Sequence, residues 1–173
     1  MRLSGILRAF VAAFLALVMA DGALAQQKTI KDQLVGTWVL VAVTAERADG
    51  SKGEPFGPNP KGTIIFTGDG HFSLVQLRAE LPRIAANDRA RATAEEAQAI
   101  VDGSIAYYGT YTVNEAEKTI APKLEGGTYA NIVGGPEQKR IITALTADEL
   151  KFTNPRTPAG VTLLTVWKRA PAR

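Results

Sequence analysis

The sequence contains no cysteine and a single histidine, His71. Without cysteine there is no disulfide, no thiol nucleophile, no thiolate zinc site and no lipid-bearing cysteine at a cleavage site. One histidine leaves no polyhistidine metal centre within the chain, so neither a metal nor a cofactor is expected. Charge is also modest: 21% of the 173 residues are charged, and the formal net charge is +3. Lysines and arginines are scattered rather than gathered into a basic stripe, so no nucleic-acid partner is expected. Beyond the N-terminus serine occurs only at positions 51, 73 and 104, never in a Gly-x-Ser-x-Gly elbow. Ser73 shares a strand face with His71, but a histidine beside a turn reads first as a surface residue. The 16 glycines and 9 prolines exclude neither globular packing nor a core, and the composition is not that of a disordered chain.

The one long apolar run is N-terminal. Arg2 and Arg8 precede an apolar stretch from Ala9 to Ala20, and Ala23-Leu24-Ala25 comes directly after it. A basic start, a short apolar segment and small residues at the −3 and −1 positions form a secretory signal peptide. A membrane span needs roughly 20 apolar residues, and Asp21-Gly22 interrupts this run too early. The expected division is a signal peptide over 1–25, cleaved after Ala25, and one domain over 26–173. The product is expected in the periplasm or outside the cell, without a stable membrane span.

The expected domain is rich in short β-type segments separated by turn residues. Strands are expected over 34–43, 63–67, 71–78, 105–113, 118–123, 139–145, 149–153 and 161–168. Gly68-Asp69-Gly70 joins the second and third as a hairpin. Pro55, Pro58 and Pro60 forbid regular pairing before Gly62. That loop superficially resembles a phosphate loop, but its prolines remove backbone donors and no lysine comes after Gly62. Thr93-Ala94-Glu95-Glu96 is a capping box, and Gly103 sits where the ensuing helix would stop. Ala94, Ala97, Ile100 and Val101 are expected on its buried face. About eight strands and one short helix predict an all-β, antiparallel closed barrel or sandwich. In 105–113, Ile105, Tyr107, Tyr111 and Val113 point one way, and Ala106 and Tyr108 the other.

Specific residues carry a family resemblance. Leu34-Val35-Gly36-Thr37-Trp38 resembles the Gly-x-Trp opening of lipocalins. The chain is similar to the bacterial and fungal lipocalin-like domain family in the Pro55–Gly62 loop, the Gly70–Arg78 strand, the tyrosine strand and Leu124-Glu125-Gly126, with Asn131 and Gly134. That resemblance implies a lipocalin-like barrel holding a small apolar molecule. It also implies that the first-strand tryptophan plugs one barrel end, with Arg169 stacked over it. Family members often carry histidines where this chain has Ala121-Pro122-Lys123-Leu124, and a tryptophan where it has Ile132. Chemistry performed by those histidines is therefore not implied here.

An eight-stranded barrel is about the size that holds one small ligand. The candidate ligand-binding residues are Phe66, Phe72, Leu74, Tyr107 and Tyr111, with Arg78, Glu125 and Arg140 as polar anchors. A buried carboxylate needs a partner, so an inward Glu125 would pair with Arg78 or Arg140. Trp38 and Trp167 are expected as structural plugs on the first and last strands. The leading expectation is an exported protein that binds a small hydrophobic or amphipathic molecule. Two alternatives stay open. One is a cofactor-free isomerase, cyclase or hydratase using Tyr107, Tyr111, Glu125 and Arg78 for proton transfer. The other is a filled-barrel envelope interaction module.

Overall fold

The structure is a computed structural model that describes residues 28–135, 138–155, 157 and 160–171. The expected signal peptide lies outside these residues. Thr29 starts the first helix, α1 (Ile30–Leu34), with a capping box to Asp32. The Thr29 hydroxyl accepts from the Asp32 N–H at 3.0 Å, and the Asp32 carboxylate accepts from the Thr29 N–H at 3.3 Å. Glu115, from a distant turn, accepts from the N–H groups of Ile30 and Lys31 at 2.8 and 3.2 Å. Donors that a helix start leaves free are thereby satisfied. Leu34 belongs to this helix and not, as expected, to the first strand. The Thr29–Asp32 cap captures it in a turn before the β-branched run begins.

The strands are β1 (Gly36–Glu46), β2 (Lys52–Gly53), β3 (Lys61–Phe66), β4 (His71–Leu77), β5 (Ser104–Asn114), β6 (Thr119–Gly127), β7 (Arg140–Leu145), β8 (Glu149–Asn154) and β9 (Thr162–Arg169). Helix α2 (Ala94–Asp102) lies between β4 and β5. Antiparallel neighbours run in the order β2-β1-β3-β4-β5-β6-β7-β8-β9, and β1 also pairs with β9. Eight strands thus form the closed antiparallel barrel, with β2 a two-residue flange on β1. The expected β3–β4 hairpin forms, with Phe66 opposite Phe72.

Alternation along each strand sends one set of side chains inward. Trp38, Ile64, Phe66, Phe72, Leu74, Leu150, Phe152 and Trp167 are all buried in one cluster. The tyrosine strand has the expected phase: Tyr111 is 4% exposed and Tyr108 54%. Closing the sheet requires bends, and bulges supply them at Val41, Glu125 and Thr143, where register shifts interrupt the ladders. Beside the Glu125 bulge the strands approach so closely that a Cβ on Gly109 would stand 2.0 Å from the Lys123 carbonyl oxygen. Only glycine fits there.

One barrel end is locked by Arg169. Its guanidinium lies 3.7 Å from the centre of the Trp38 ring. Its Nη1 and Nη2 donate to the carbonyls of Val35 and Gln33 at 2.8 and 2.6 Å, and Nε donates to Ala147 at 3.1 Å. Trp38 Nε1 donates to the Leu34 carbonyl at 2.8 Å. Gly36 makes room: its φ is +125°, and a Cβ there would meet Nη1 at 2.9 Å. Arg169 therefore stacks over Trp38 as the resemblance implied, while also tying α1 to the β7–β8 turn.

Helix α2 begins at Thr93 and stops at Gly103 as expected, but it presents a different face. Val101 is 68% exposed, and Ala94 and Ala97 are exposed too, whereas Glu96, Ala99 and Ile100 are half-buried. The Glu96 carboxylate accepts from the N–H groups of Thr93 and Ala85, both at 2.9 Å. That second bond docks the preceding loop on the Glu96 side and turns the alanine face outward.

Stability measurements on two positions test these contacts. Gly109→Ala should cost about 1–3 kcal/mol by overpacking, whereas Gly68→Ala, with nothing within 4 Å of the added Cβ, should stay within about 0.5 kcal/mol of the parent. Arg169→Ala should cost about 2–4 kcal/mol in chemical denaturation, and Arg169→Lys should recover little of it, because an ammonium lacks the planar fork.

Candidate ligand site at the β6–β7 seam

The barrel wall is weakest between β6 and β7. These strands pair only at Thr119–Ile141 and Ile120–Arg140. β6 nevertheless stays paired with β5 as far as Gly127, opposite Tyr107. From Ala121 onward its other edge has no strand beside it. Pro122 lies in this stretch, and a residue without an N–H suits a strand edge that donates to no ladder. The returning chain is pinned at Thr128, whose N–H donates to the Ala106 carbonyl at 2.8 Å. It then passes through a single 3-10 turn, Ala130–Ile132.

A groove of about 410 Å³ occupies this seam, with Thr110, Thr112, Pro122, Leu124, Ile132 and Gln138 among its walls. That volume lies within the range of small-molecule sites. The barrel interior is different. Phe66, Phe72, Leu74, Tyr107, Phe152 and Arg140 surround only about 10 Å³ of free space, scarcely room for one water. Aromatic contacts fill it: Phe66 meets Tyr111 edge-on at 5.0 Å, and Phe72 meets Tyr107 at 6.1 Å. Room for a ligand therefore lies at the seam rather than along the barrel axis. Pro122 is a wall of both spaces.

Arg140 stands between them. It is buried and lines the interior, and its Nη1 approaches the carbonyl and side-chain oxygens of Gln138 at 3.4 and 3.5 Å. Gln138 in turn lines the groove.

The structure brings Phe66, Phe72, Leu74, Tyr107 and Arg140 together around the interior. Tyr111 is buried beside them and also touches the groove. Its hydroxyl donates to the Thr67 carbonyl at 2.9 Å, and burial first, then the negative charge of Asp69, raises its pKa above the ordinary value. Arg78 and Glu125 are not part of this group: both are exposed. Arg78 lies just past the end of β4, and Glu125 is the extra residue of a bulge. Among the described residues Glu125 forms no ion pair with Arg78 or Arg140, and the four residues of the proton-transfer reading do not meet around one space. Trp38 and Trp167 are fully buried. His71 and Ser73 are exposed on β4. Among the described residues no group of three His, Asp or Glu could hold a metal ion. Sequence reasoning missed the groove because Gln138 and Ile132 come from an irregular segment. Pro122, inside a strand, was the one local signal of an unpaired edge.

The profile of the lipocalin-like domain family matches residues 35–170. The chain belongs to that family. No curated protein matches the sequence. Among solved structures, a redesigned β-barrel is similar over 85% of this chain and 100% of its own, at 16% identity and a TM-score of 0.44. A second redesigned β-barrel, bound to DFHBI, is similar over 82% of this chain and 100% of its own, at 20% identity and a TM-score of 0.42.

In this lipocalin-like barrel the β3–β4 turn carries its own charge cluster. Asp69 takes a hydrogen bond from the Thr67 hydroxyl and lies 3.2 Å from His71 Nδ1. The Thr67 hydroxyl first, and the imidazole second, hold its carboxyl at about 2, below the ordinary 3.8. A carboxyl lowered by folding adds stability above its unfolded value, and that contribution disappears as pH falls from about 4 through about 2. Acid unfolding of the parent should therefore steepen in this window, and Asp69→Asn should flatten that part of the curve. Denaturation midpoints compared at about pH 6 and about pH 2 would read the difference.

Proposed function

We propose that this lipocalin-like barrel is an exported binding protein that holds a small amphipathic molecule in the seam groove. The observation that carries the reading is the separation of β6 from β7 after Ile120, which opens about 410 Å³ beside an otherwise closed wall. The groove walls combine apolar surface from Pro122, Leu124 and Ile132 with hydroxyls from Thr110 and Thr112. A mixed lining of this kind favours a ligand with an apolar body and a few polar groups. The closed barrel behind it supplies rigidity, so the groove is largely formed before the ligand arrives and less ordering opposes binding.

Export rests on the N-terminal pattern of Arg2, Arg8, the apolar run and Ala23-Leu24-Ala25. Among the described residues no helix is long and apolar enough to cross a membrane.

Native mass spectrometry of the protein, purified from an exporting host without detergent, tests both parts. The expected result is a chain beginning at Gln26 with a reproducible added mass. Ala121→Trp, which fills the groove from β6, should keep the fold and lose that mass. An intact leader on the exported protein would overturn the export reading. Unchanged cargo in folded Ala121→Trp would remove the groove as its site. A parent protein that carries no mass and binds neither a neutral nor an anionic naphthylamine probe would end the binding reading.

A further inference from the structure

Arg140 is 6% exposed, and a buried guanidinium ordinarily has an anionic partner. Here its hydrogen-bond acceptors among the described residues are the two oxygens of Gln138, both neutral and both at the long end of hydrogen-bond range. No carboxylate among the described residues forms an ion pair with it. On the adjacent strand β8, Asn154 is 8% exposed, and the Asn154 Oδ1 has no partner among the described residues. Two buried polar residues on the adjacent strands β7 and β8 are therefore short of partners among the described residues. The other walls of the interior space it lines are apolar or aromatic, Ile120, Pro122 and Phe152 among them.

We infer that the seam groove selects a ligand with an anionic head group, and that Arg140 binds that head in the place Gln138 now occupies. This deepens the groove reading and rests on it. The guanidinium offers five donors in a planar fork, which matches the paired oxygens of a carboxylate or sulfonate. Gln138 presents its two oxygens to Nη1 of that fork and also lines the groove, so it stands on the path from groove to Arg140. Among the described residues no acidic side chain lines the groove, and Lys123 adds a second positive charge to its wall. The apolar body of the ligand then rests against Pro122, Leu124 and Ile132. A buried cation with no anionic partner among the described residues is a poor stabiliser of a fold, and a bound anion would supply that partner.

A matched pair of probes separates the head group from the groove: N-phenyl-1-naphthylamine, which is neutral, and 8-anilinonaphthalene-1-sulfonate, which adds an anionic group to the same skeleton. The parent protein should bind the sulfonate about tenfold or more tightly than the neutral probe, as expected for one charge-assisted contact. Arg140→Met should abolish that preference while keeping the neutral affinity and at least the parent melting temperature. Gln138→Ala, which removes the side-chain oxygen competing for the guanidinium, should strengthen sulfonate binding several-fold. It also serves if Arg140→Met fails to fold, and near-ultraviolet circular dichroism verifies the fold of each variant. Equal affinity of the parent for both probes would overturn the head-group assignment and leave the groove reading standing. So would a preference unchanged in folded Arg140→Met, or sulfonate affinity unchanged in Gln138→Ala. Failure of both probes to bind would remove the groove reading and this inference with it.

Discussion

Between β1 and β9 the first and last strands of the barrel are joined, from Trp38 opposite Arg169 to Glu46 opposite Thr162. This non-local pairing turns a meander with two open edges into a barrel, and an open β1 edge would be a template for other chains. The pairing is reinforced at one end by a compact polar and aromatic lock. Arg169 covers the Trp38 ring and binds the carbonyls of Gln33, Val35 and Ala147. The absence of a Cβ at Gly36 is a steric condition of that lock. The Gly-x-Trp pattern therefore has a mechanical meaning here: the glycine admits the arginine, and the tryptophan supplies the surface it covers.

Closure has consequences on the far side of the barrel. Eight strands with large inward side chains curve enough to meet only where bulges and glycine relax the ladders, as at Glu125 and Gly109. Filling the interior with Phe66, Phe72, Tyr107, Tyr111 and Phe152 stabilises the barrel but leaves little space inside. The β6–β7 junction retains only two residue pairs, and the wall parts there to leave the seam groove. Stability and ligand room are thus divided between different parts of the wall, with Arg140 at their boundary.

Much of the fold was legible because its signals are local. The capping box at Thr93, the turn at 67–70 and the alternation through Tyr107, Tyr108 and Tyr111 each act within a few residues, and each lies where it was expected. The inward phase of Phe66, Phe72 and Leu74 came from the same alternation. Leu34 and the face of α2 were misjudged because short local bonds, from Thr29 to Asp32 and from Glu96 to Ala85, outweighed the apolar pattern. Glu125 was expected inside. Its bulge, a response to the curvature imposed by closure, holds it on the exposed side.

By itself the sequence determined the class of fold, the strand phases and the absence of cysteine chemistry, because composition and period-two alternation act through nearest neighbours. Tertiary structure alone decided that the interior is filled, that β6 and β7 part after Ile120, and that Arg140 meets Gln138 while Arg78 and Glu125 remain in solvent. Those outcomes depend on how strands distant in sequence share a closed circumference. Side-chain volume inside the barrel and curvature around it are properties of the whole ring, and no short segment carries them.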